Sequence, residues 1–545
     1  MFCGLYLYGD SMVFIKDLKN QEYLFPPNIK DLIGDDHICF VVDTVIDSMD
    51  FSEKEKEAEG PGSPGYHPKI PLKVIIYGMI DGERSSRKLH ENVRMNAIYI
   101  YLAGKLTPDF RTISDFRKDN PELVNSCFQS VVEFAYNLGM VSLRHISVDG
   151  TKIKANASKN RTFTKEELEF LEKMVKTEIE KGIEIDEQED EMFGEDKTGY
   201  ELPDDVKLSK NIQKFLRKKL EEEGIKTKNQ RSMGKIIKEH IEGDEKKKEQ
   251  IYHKLEDAIK VTQDPDIKKI NLTDSESHLM KNKKGVFEQG FSPQITVDSE
   301  EKIIIGNHVS QAPDDTNELI PMIEETEKNV GKLSEGTEVS ADNGYYSGPN
   351  FKYLEDKGLE GYIPNSNQAQ RMKGKTVKKD PFSKECFEYD DENDVFRCPN
   401  NEILVFRHEY YNKDKKKTTR VYYTKNCKDC PYKQQCLNDS SKPYRRIKAN
   451  EYEGTKRRMA KKMKSEEARE KLKIRSKIVE HPFGDIKQNM GLREFLLRGK
   501  NKVKIEFNLA CIVHNIKRIA SFIKKVCGTF NVVFQTVAIP DSILR

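Results

Sequence analysis

The strongest constraint on the fold is a short strand-like segment, residues 145–150, that ends in an aspartate followed by a glycine. Ile146 and Val148 alternate with polar neighbours, which is the period-two pattern of a strand with one buried face. Asp149 and Gly150 then end the run. Aspartate is unfavourable in a strand, so it either begins a turn before the glycine or is kept for its chemistry. The segment alone leaves both interpretations open.

Two further carboxylates favour the chemical interpretation. Asp342 ends a second short strand-like run and is also followed closely by a glycine, Gly344. Glu480 lies in a segment with helical character. Two acids at strand ends and one on a helix would suit two divalent ions, because hard cations prefer oxygen ligands and leave positions for water and phosphate. We therefore predict that Asp149, Asp342 and Glu480 form one site for two Mg²⁺ or Mn²⁺ ions.

The residues around the three acids carry a family resemblance. The motifs are Val-Asp-Gly-Thr-Lys at Asp149, Ala-Asp-Asn-Gly-Tyr at Asp342 and Val-Glu-His-Pro-Phe-Gly at Glu480. In this order they resemble the DDE transposases of bacterial insertion sequences, and are most similar to the group named after insertion sequence eleven-eighty-two. The resemblance extends from about residue 65 to about residue 520 and is interrupted by a long charged insert.

The resemblance implies an activity. Such a transposase binds the terminal inverted repeats of its insertion sequence in double-stranded DNA. It cleaves there by metal-dependent hydrolysis and joins the freed 3′-OH to target DNA by transesterification, acting as a homodimer assembled on DNA. Two alternatives remain open: a metal-dependent nuclease on the same fold, which cuts without joining, and a DNA-binding protein that has lost catalysis. The intact Asp149, Asp342 and Glu480 argue against the second alternative.

Composition limits the class of protein. The chain has 545 residues, so three or four structural units are expected. Charged residues make up 34%, yet the net charge is only +2, so DNA binding must come from local basic patches. No run of eighteen apolar residues is present, which predicts no membrane span. We expect a cytoplasmic protein, which the resemblance would place at the bacterial nucleoid.

The order of predicted elements divides the chain. An antiparallel hairpin near 290–306, followed by strand, helix and strand up to 364, matches an α/β ribonuclease H-like fold, which the resemblance also implies. The predicted units are an N-terminal segment 1–65, a helical DNA-binding domain 66–140, a catalytic domain 141–160 plus 285–365 plus 455–525, a charged helical insert 161–284, a Cys-rich insert 366–454 and a C-terminal tail 526–545.

Basic residues lie between the apolar stripes of the helical domain. Charged residues of this kind commonly form a solvated surface, but the resemblance favours DNA contact, in which cations hold phosphates without reading the base sequence. The predicted DNA-binding residues are Arg84, Arg87, Lys88, Arg111, Arg117 and Lys118.

Five of the ten cysteines lie between 386 and 436. Cys427, Cys430 and Cys436 form a C-x2-C-x5-C pattern, and Cys398 lies upstream. Thiolates at this spacing can occupy neighbouring corners of a tetrahedral zinc site, so we predict one structural Zn²⁺ held by these four. The alternative is a set of ordinary reduced cysteines. Cys386 is left over in either case.

The segment around Glu480 carries one more predicted residue. Lys487 follows Glu480 by seven residues, two helical turns, so both are expected on nearly one face, with Lys487 beside the scissile phosphate. A surface ion pair of Lys487 with Asp485 or Glu494 remains the alternative. Pro482 should start a new helical segment or kink the existing one. Arg475 is the nearest upstream arginine, and its role stays open.

Overall fold

The structure of the protein is a computed structural model, which describes residues 28–57, 65–176, 204–264, 267–282, 285–372, 374–376, 380–412, 417–437 and 442–528. Parts of the predicted N-terminal segment, of the charged insert and of the C-terminal tail lie outside these residues.

The first described part is helical. One of its helices begins at Lys69 and buries Leu72, Ile75, Ile76 and Met79, which are spaced three or four residues apart or side by side along it. Pro121 occupies the first turn of the last helix, where its missing N–H costs nothing. The helices are α1 (Cys39–Asp47), α2 (Ser52–Glu57), α3 (Lys69–Ile80), α4 (Ser86–Met95), α5 (Ala97–Leu102), α6 (Phe110–Asp119) and α7 (Pro121–Asn137).

A mixed sheet follows and shares one apolar core with these helices. Two short strands, β3 and β4, form a separate antiparallel pair, and the other strands of this part belong to the mixed sheet. In chain order the strands are β1 (His145–Gly150), β2 (Ile153–Lys154), β3 (Thr162–Phe163), β4 (Ile270–Asn271), β5 (His278–Lys281), β6 (Phe287–Asp298), β7 (Ile304–Ser310), β8 (Glu338–Ser340) and β9 (Glu360–Tyr362).

The path β7-β6-β1-β8-β9 places β1 at the centre of this sheet. β6 runs antiparallel to both β1 and β7, which confirms the predicted hairpin. β8 runs parallel to both β1 and β9. The helix that connects β8 to β9 provides the crossover that two consecutive parallel strands need. The carboxyl ends of β1 and β8 therefore lie side by side at one edge of the sheet.

Three groups of helices accompany the sheet: four in the described part of the charged insert, two that follow β7 and β8, and one after β9. They are α8 (Lys165–Lys176), α9 (Asp204–Glu222), α10 (Gln230–Ile241), α11 (Glu245–Val261), α12 (Leu319–Val330), α13 (Gly348–Asp356) and α14 (Ser366–Met372). The described part of the charged insert has an apolar core of its own, which includes Phe163, Leu216 and Met233.

The Cys-rich insert is a five-stranded antiparallel sheet in sequential order. Phe387, Phe396, Leu404 and Tyr422 form its small core. Its elements are β10 (Glu388–Asp390), β11 (Val395–Arg397), β12 (Ile403–Asn412), β13 (Lys417–Tyr423), the short helix α15 (Lys433–Cys436) and β14 (Ile447–Ala449).

Three helices return the chain to the mixed sheet: α16 (Glu453–Lys462), α17 (Glu466–Gly484) and α18 (Lys500–Cys527). The basic stretch 456–477 is divided between α16 and α17, because Ser465 caps a new helix start by accepting a hydrogen bond from the Ala468 backbone N–H. Pro482 lies inside α17, and a π-helical turn, Asp485–Asn489, follows directly.

Candidate active site

Asp149 lies at the carboxyl end of the central strand β1, with its side chain 22% exposed. Burial raises the pKa of Asp149 to about 6, the nearby carboxylates of Asp342 and Asp315 add to this rise, and Arg475 opposes it. The Arg475 Nη2 atom lies 2.8 Å from Asp149 Oδ1. Asp149 is thus one member of a group of like charges partly neutralised by one guanidinium.

A polar network lies beneath this strand end. Gly150 is opposite Gln294 on β6, and a Cβ at this glycine would clash with the Gln294 side chain. The Gln294 amide donates to Asp315 Oδ1 at 2.8 Å and accepts from the Tyr345 hydroxyl. Burial raises the pKa of Tyr345 well above its ordinary value, and nearby carboxylates, Asp315 first, add to it, so its hydroxyl stays a donor. A larger residue than Gly150 would therefore displace the Gln294 amide from this network.

Asp342 follows β8 by two residues and caps the short turn Asn343–Tyr345. Its Oδ1 accepts a hydrogen bond from the Gly344 backbone N–H at 2.7 Å. A Cβ on Gly344 would lie 2.9 Å from Asp342 Oδ1 and 3.3 Å from Asp315 Oδ2. The glycine thus allows both carboxylates to approach the same point of the backbone, and a larger residue would require at least the Asp342 carboxylate to shift.

Helix α17 contacts three neighbouring strands through side chains spaced four residues apart. Glu467 accepts from the Tyr362 hydroxyl of β9 at 2.7 Å, and Lys471 pairs with Glu338 of β8. Arg475 then reaches Asp149 at the end of β1. Since residues at i, i+4 and i+8 share one helix face, this series fixes where the rest of α17 lies.

Glu480 lies one turn beyond Arg475 on α17. Its Oε1 accepts a hydrogen bond from the Ser476 hydroxyl at 2.7 Å. Glu480 and Asp342 line the same cleft, about 650 Å³ in volume, together with Arg469 and Arg475. The structure therefore brings Asp342 and Glu480 to one cleft and places Asp149 beside it, linked through Arg475.

The donor chemistry of this site fits divalent cations in part. Its three acids offer only oxygen ligands, and like charges at a strand edge favour a bound cation. Among the residues that the structure describes, however, no three His, Cys, Asp or Glu side chains are arranged to hold a metal ion as they stand. Asp149 is engaged by Arg475 instead. Metal binding would require this ion pair to open.

Lys487 lies in the π-helical turn after α17. Its Nζ donates to the Thr151 hydroxyl and to the Lys152 carbonyl oxygen at 3.0 Å, in the segment that follows Asp149. Asp485, one of the two residues considered as an alternative ion-pair partner of Lys487, contacts His514 and Lys517. The lysine thus lies beside the strand that carries Asp149.

Asp315 is not among the residues that the sequence predicts for the site, and the role of Arg475 stays open there. Asp315 lies in an irregular segment between β7 and α12, and no strand-like pattern runs directly up to it. A signal for Arg475 did exist, because Glu467, Lys471 and Arg475 recur at the four-residue spacing of one helix face.

The four predicted zinc cysteines line one small cavity of about 30 Å³. Burial raises the pKa of the Cys427 and Cys436 thiols, and the neighbouring sulfurs add to it. Cys398 Sγ accepts from the Glu402 backbone N–H at 3.3 Å. The thiols thus face one another, although, as for the carboxylates, they do not form a ready metal site within the described chain.

Two of the predicted DNA-binding arginines form hydrogen bonds and an ion pair within the protein. Arg117 is 7% exposed and donates to the Arg84 carbonyl oxygen at 2.8 Å and to Ser86. Arg84 pairs with Glu506 of α18, which is buried, and donates to the Glu494 carbonyl oxygen at 2.9 Å. Arg84 therefore joins the helical domain to α18, and Arg117 holds the Arg84 backbone within the helical domain, whereas both arginines were predicted to contact DNA.

The other four predicted cations are at the surface or close to it. Arg87 and Arg111 lie over the ring of Phe110, at 5.5 and 5.8 Å from its centroid. Lys88 pairs with Glu83, and Lys118 pairs with Asp115. Arg87 and Arg111 are thus the exposed arginines of this set.

Two stretches of the chain match known protein families. Residues 397–520, which include Glu480 and Lys487, match the family described as Transposase DDE domain. Residues 27–119 match the family described as Transposase domain (DUF772). Both matches are to transposase families. Neither a curated protein nor a solved structure matches the chain. None of the described helices is long and apolar enough to cross a membrane.

Proposed function

We propose that this protein is a DDE transposase of the insertion-sequence class, in the group named after insertion sequence eleven-eighty-two, with a ribonuclease H-like catalytic domain. The observation that carries the proposal is the convergence of Asp342 and Glu480 on one cleft beside Asp149. Two other observations support it: residues 27–119 and 397–520 match transposase families, and Glu480 lies in the second of these segments. The strand path β7-β6-β1-β8-β9, with only the first three strands antiparallel, supports the proposed fold.

Asp149, Asp342 and Glu480 would hold two Mg²⁺ or Mn²⁺ ions. When bound, such ions supply an activated water or 3′-OH and stabilise the leaving oxygen of the phosphodiester. The chain itself positions the acids: β1 and β8 fix the two aspartates, and α17 fixes the glutamate. Arg475 holds Asp149 until the site is loaded, because its guanidinium neutralises the same carboxylate.

Lys487 would bind the DNA backbone beside the scissile phosphate. Its position against Thr151 and Lys152 supports this role, since these residues directly follow Asp149-Gly150. A lysine serves as a compact point charge on a flexible stem, so it can leave these neutral oxygens for a phosphate. The exposed Arg87 and Arg111 would add phosphate contacts on the helical domain.

Four cysteines would hold one structural Zn²⁺ in the Cys-rich insert: Cys398, Cys427, Cys430 and Cys436. Their shared cavity and their zinc-like spacing support this assignment. The ion would stabilise the small β-sheet, whose own apolar core is limited.

A cleavage and strand-transfer assay tests the proposal. The DNA substrate carries the inverted repeats that flank the gene, with Mn²⁺ or Mg²⁺ added, and a supercoiled plasmid serves as the target. A transposase yields cut ends and products joined through the 3′-OH. Cut ends without joined products would instead identify the metal-dependent nuclease, and intact DNA that is still bound would identify a binding protein without catalysis.

A further inference from the structure

One face of the sheet in the Cys-rich insert combines tyrosine rings with arginine and lysine side chains. Thr419, Val421 and Tyr423 of β13 share one face because side chains alternate along a strand. Val421 lies opposite Lys448 of β14, and Tyr410 of β12 lies opposite Thr419, so both belong to this face. The tyrosine–cation face comprises Arg407, Tyr410, Tyr423, Tyr444, Arg446 and Lys448. The opposite face of the sheet supplies the core residues Tyr422 and Ile447.

The rings and cations of this face are ordered against one another. Tyr423 and Tyr444 are stacked, with ring centroids 4.3 Å apart and an angle of 10° between the planes. Arg407 lies 5.2 Å from the Tyr423 centroid, and Arg446 lies 5.2 Å from the Tyr444 centroid. These contacts hold the rings in place at little entropic cost on binding.

Among the residues that the structure describes, the cations of the face have no carboxylate partner. Within the described part of the chain, Arg407, Arg446 and Lys448 form no ion pair and are exposed. Arg407 donates only to the Tyr423 carbonyl oxygen, at 3.4 Å. On the other side of the sheet, by contrast, Arg420 pairs with Asp394 at 2.6 Å. The face therefore concentrates unneutralised positive charge in a chain whose net charge is only +2.

We propose that the tyrosine–cation face binds single-stranded DNA. Cations alone would suit any polyanion, but ordered rings on an open sheet offer stacking surfaces that only unpaired bases can use. A duplex hides its base faces, and an acidic protein surface would leave Tyr410 and the Tyr423–Tyr444 stack without a matching group. The inference rests on the proposed function in one respect: cleavage at a transposon end supplies a free strand.

Fluorescence anisotropy with the full-length protein tests the face in the absence of cleavage. The probes are a labelled thymidine oligonucleotide of about 20 nucleotides, longer than the roughly 4–16 nucleotides of a typical site, an abasic strand of equal length and a duplex of mixed sequence. One double variant, Tyr410→Leu with Tyr444→Leu, removes two rings. Another, Arg446→Ala with Lys448→Ala, removes two charges. The control, Lys246→Ala with Lys247→Ala, removes two exposed charges from the charged insert.

The ring variant should weaken binding of the thymidine strand by about 5-fold or more and leave the abasic strand unchanged, since a base–ring stack contributes about 1–3 kcal/mol. The charge variant should lower the salt slope by about 1.4 for both strands, two contacts at about 0.7 each. The control should change neither. Circular dichroism verifies that each variant is folded.

Two results would overturn the inference. Equal affinity of the thymidine strand for the wild type, both variants and the control would make the face a solubilising surface. An equal loss on the duplex and on the thymidine strand would make it a duplex backbone contact. Neither result affects the proposed catalytic function, because Asp149, Asp342 and Glu480 are untouched and no cleavage is measured.

Discussion

At the scale of single residues, Arg84 and Arg87 are three positions apart and differ in environment. Arg84 enters the protein and pairs with Glu506, which is 2% exposed. Arg87 stays at the surface over the Phe110 ring. Sequence alone gives both residues the same charge and similar neighbours, so it could not separate a structural arginine from an exposed one. What separates them is the packing of α18 against the helical domain.

Arg84→Ala should lower the free energy of unfolding by about 3 kcal/mol, because it leaves the buried Glu506 carboxylate without its cation. The backbone N–H groups of Leu496 and Leu497 still donate to Glu506, which limits the loss. Urea denaturation measures this change. Arg87→Ala is the matched control and should change stability by less than about 0.5 kcal/mol. Equal effects of the two substitutions would contradict the buried role of Arg84.

Lys487→Ala tests the proposed phosphate contact. It should weaken binding of transposon-end DNA and lower the slope of log affinity against log salt by about one unit, since one phosphate contact is lost. Fluorescence anisotropy over a range of salt concentrations measures the slope. The control is Lys56→Ala, an exposed lysine surrounded by glutamates on α2. An unchanged slope would remove Lys487 from the DNA surface without affecting the three acids.

At the scale of elements, the sequence predicts the central strands better than the site they support. The alternation at Ile146 and Val148 locates β1 closely, and the hairpin predicted near 290–306 contains the start of β7 but ends four residues too early. The four-residue series on α17 was not recognised, because its partners on β8, β9 and β1 come from distant parts of the chain. Asp315 was missed for the same reason, since only the folded sheet brings it near Asp342.

The Cys-rich insert offers a prediction about one element. Freshly purified protein should contain one zinc per chain, and Cys430→Ser should lose it and loosen only this insert, because four thiolates complete a tetrahedral site. Elemental analysis measures the zinc, and limited proteolysis measures the loosening. Cys386→Ser, at the exposed cysteine outside the cavity, is the control and should retain the metal. Wild-type protein without zinc would show that these are ordinary reduced thiols.

At the scale of the whole molecule, the buried Asp485 links α17 to α18. Burial alone would raise the pKa of Asp485, but hydrogen bonds from His514, Lys517 and Asn489 outweigh it and hold the pKa well below its ordinary value. A carboxyl whose pKa is lower in the folded state adds stability above its unfolded pKa of about 3.9 and loses it as the pH falls further. Acid should therefore weaken the contact between these two helices.

Unfolding measured between about pH 6 and pH 3 tests this link. Wild-type stability should fall as the pH drops below about 4, and Asp485→Asn should show a shallower fall because its amide does not titrate. Asp36→Asn, at an exposed aspartate paired with Lys524, is the control and should follow the wild type closely. Parallel curves for Asp485→Asn and the wild type would assign the acid sensitivity to other groups.

The central claim is that Asp149, Asp342 and Glu480 form one catalytic site, and cleavage of transposon-end DNA by Asp342→Asn in Mn²⁺ tests it most directly. Cleavage should fall by more than the roughly 10–100-fold cost of losing an outer-shell partner of a metal, while binding of the same DNA is retained. Asp314→Asn, which changes an exposed aspartate beside Asp315, should cleave like the wild type. Wild-type cleavage by Asp342→Asn would contradict the account.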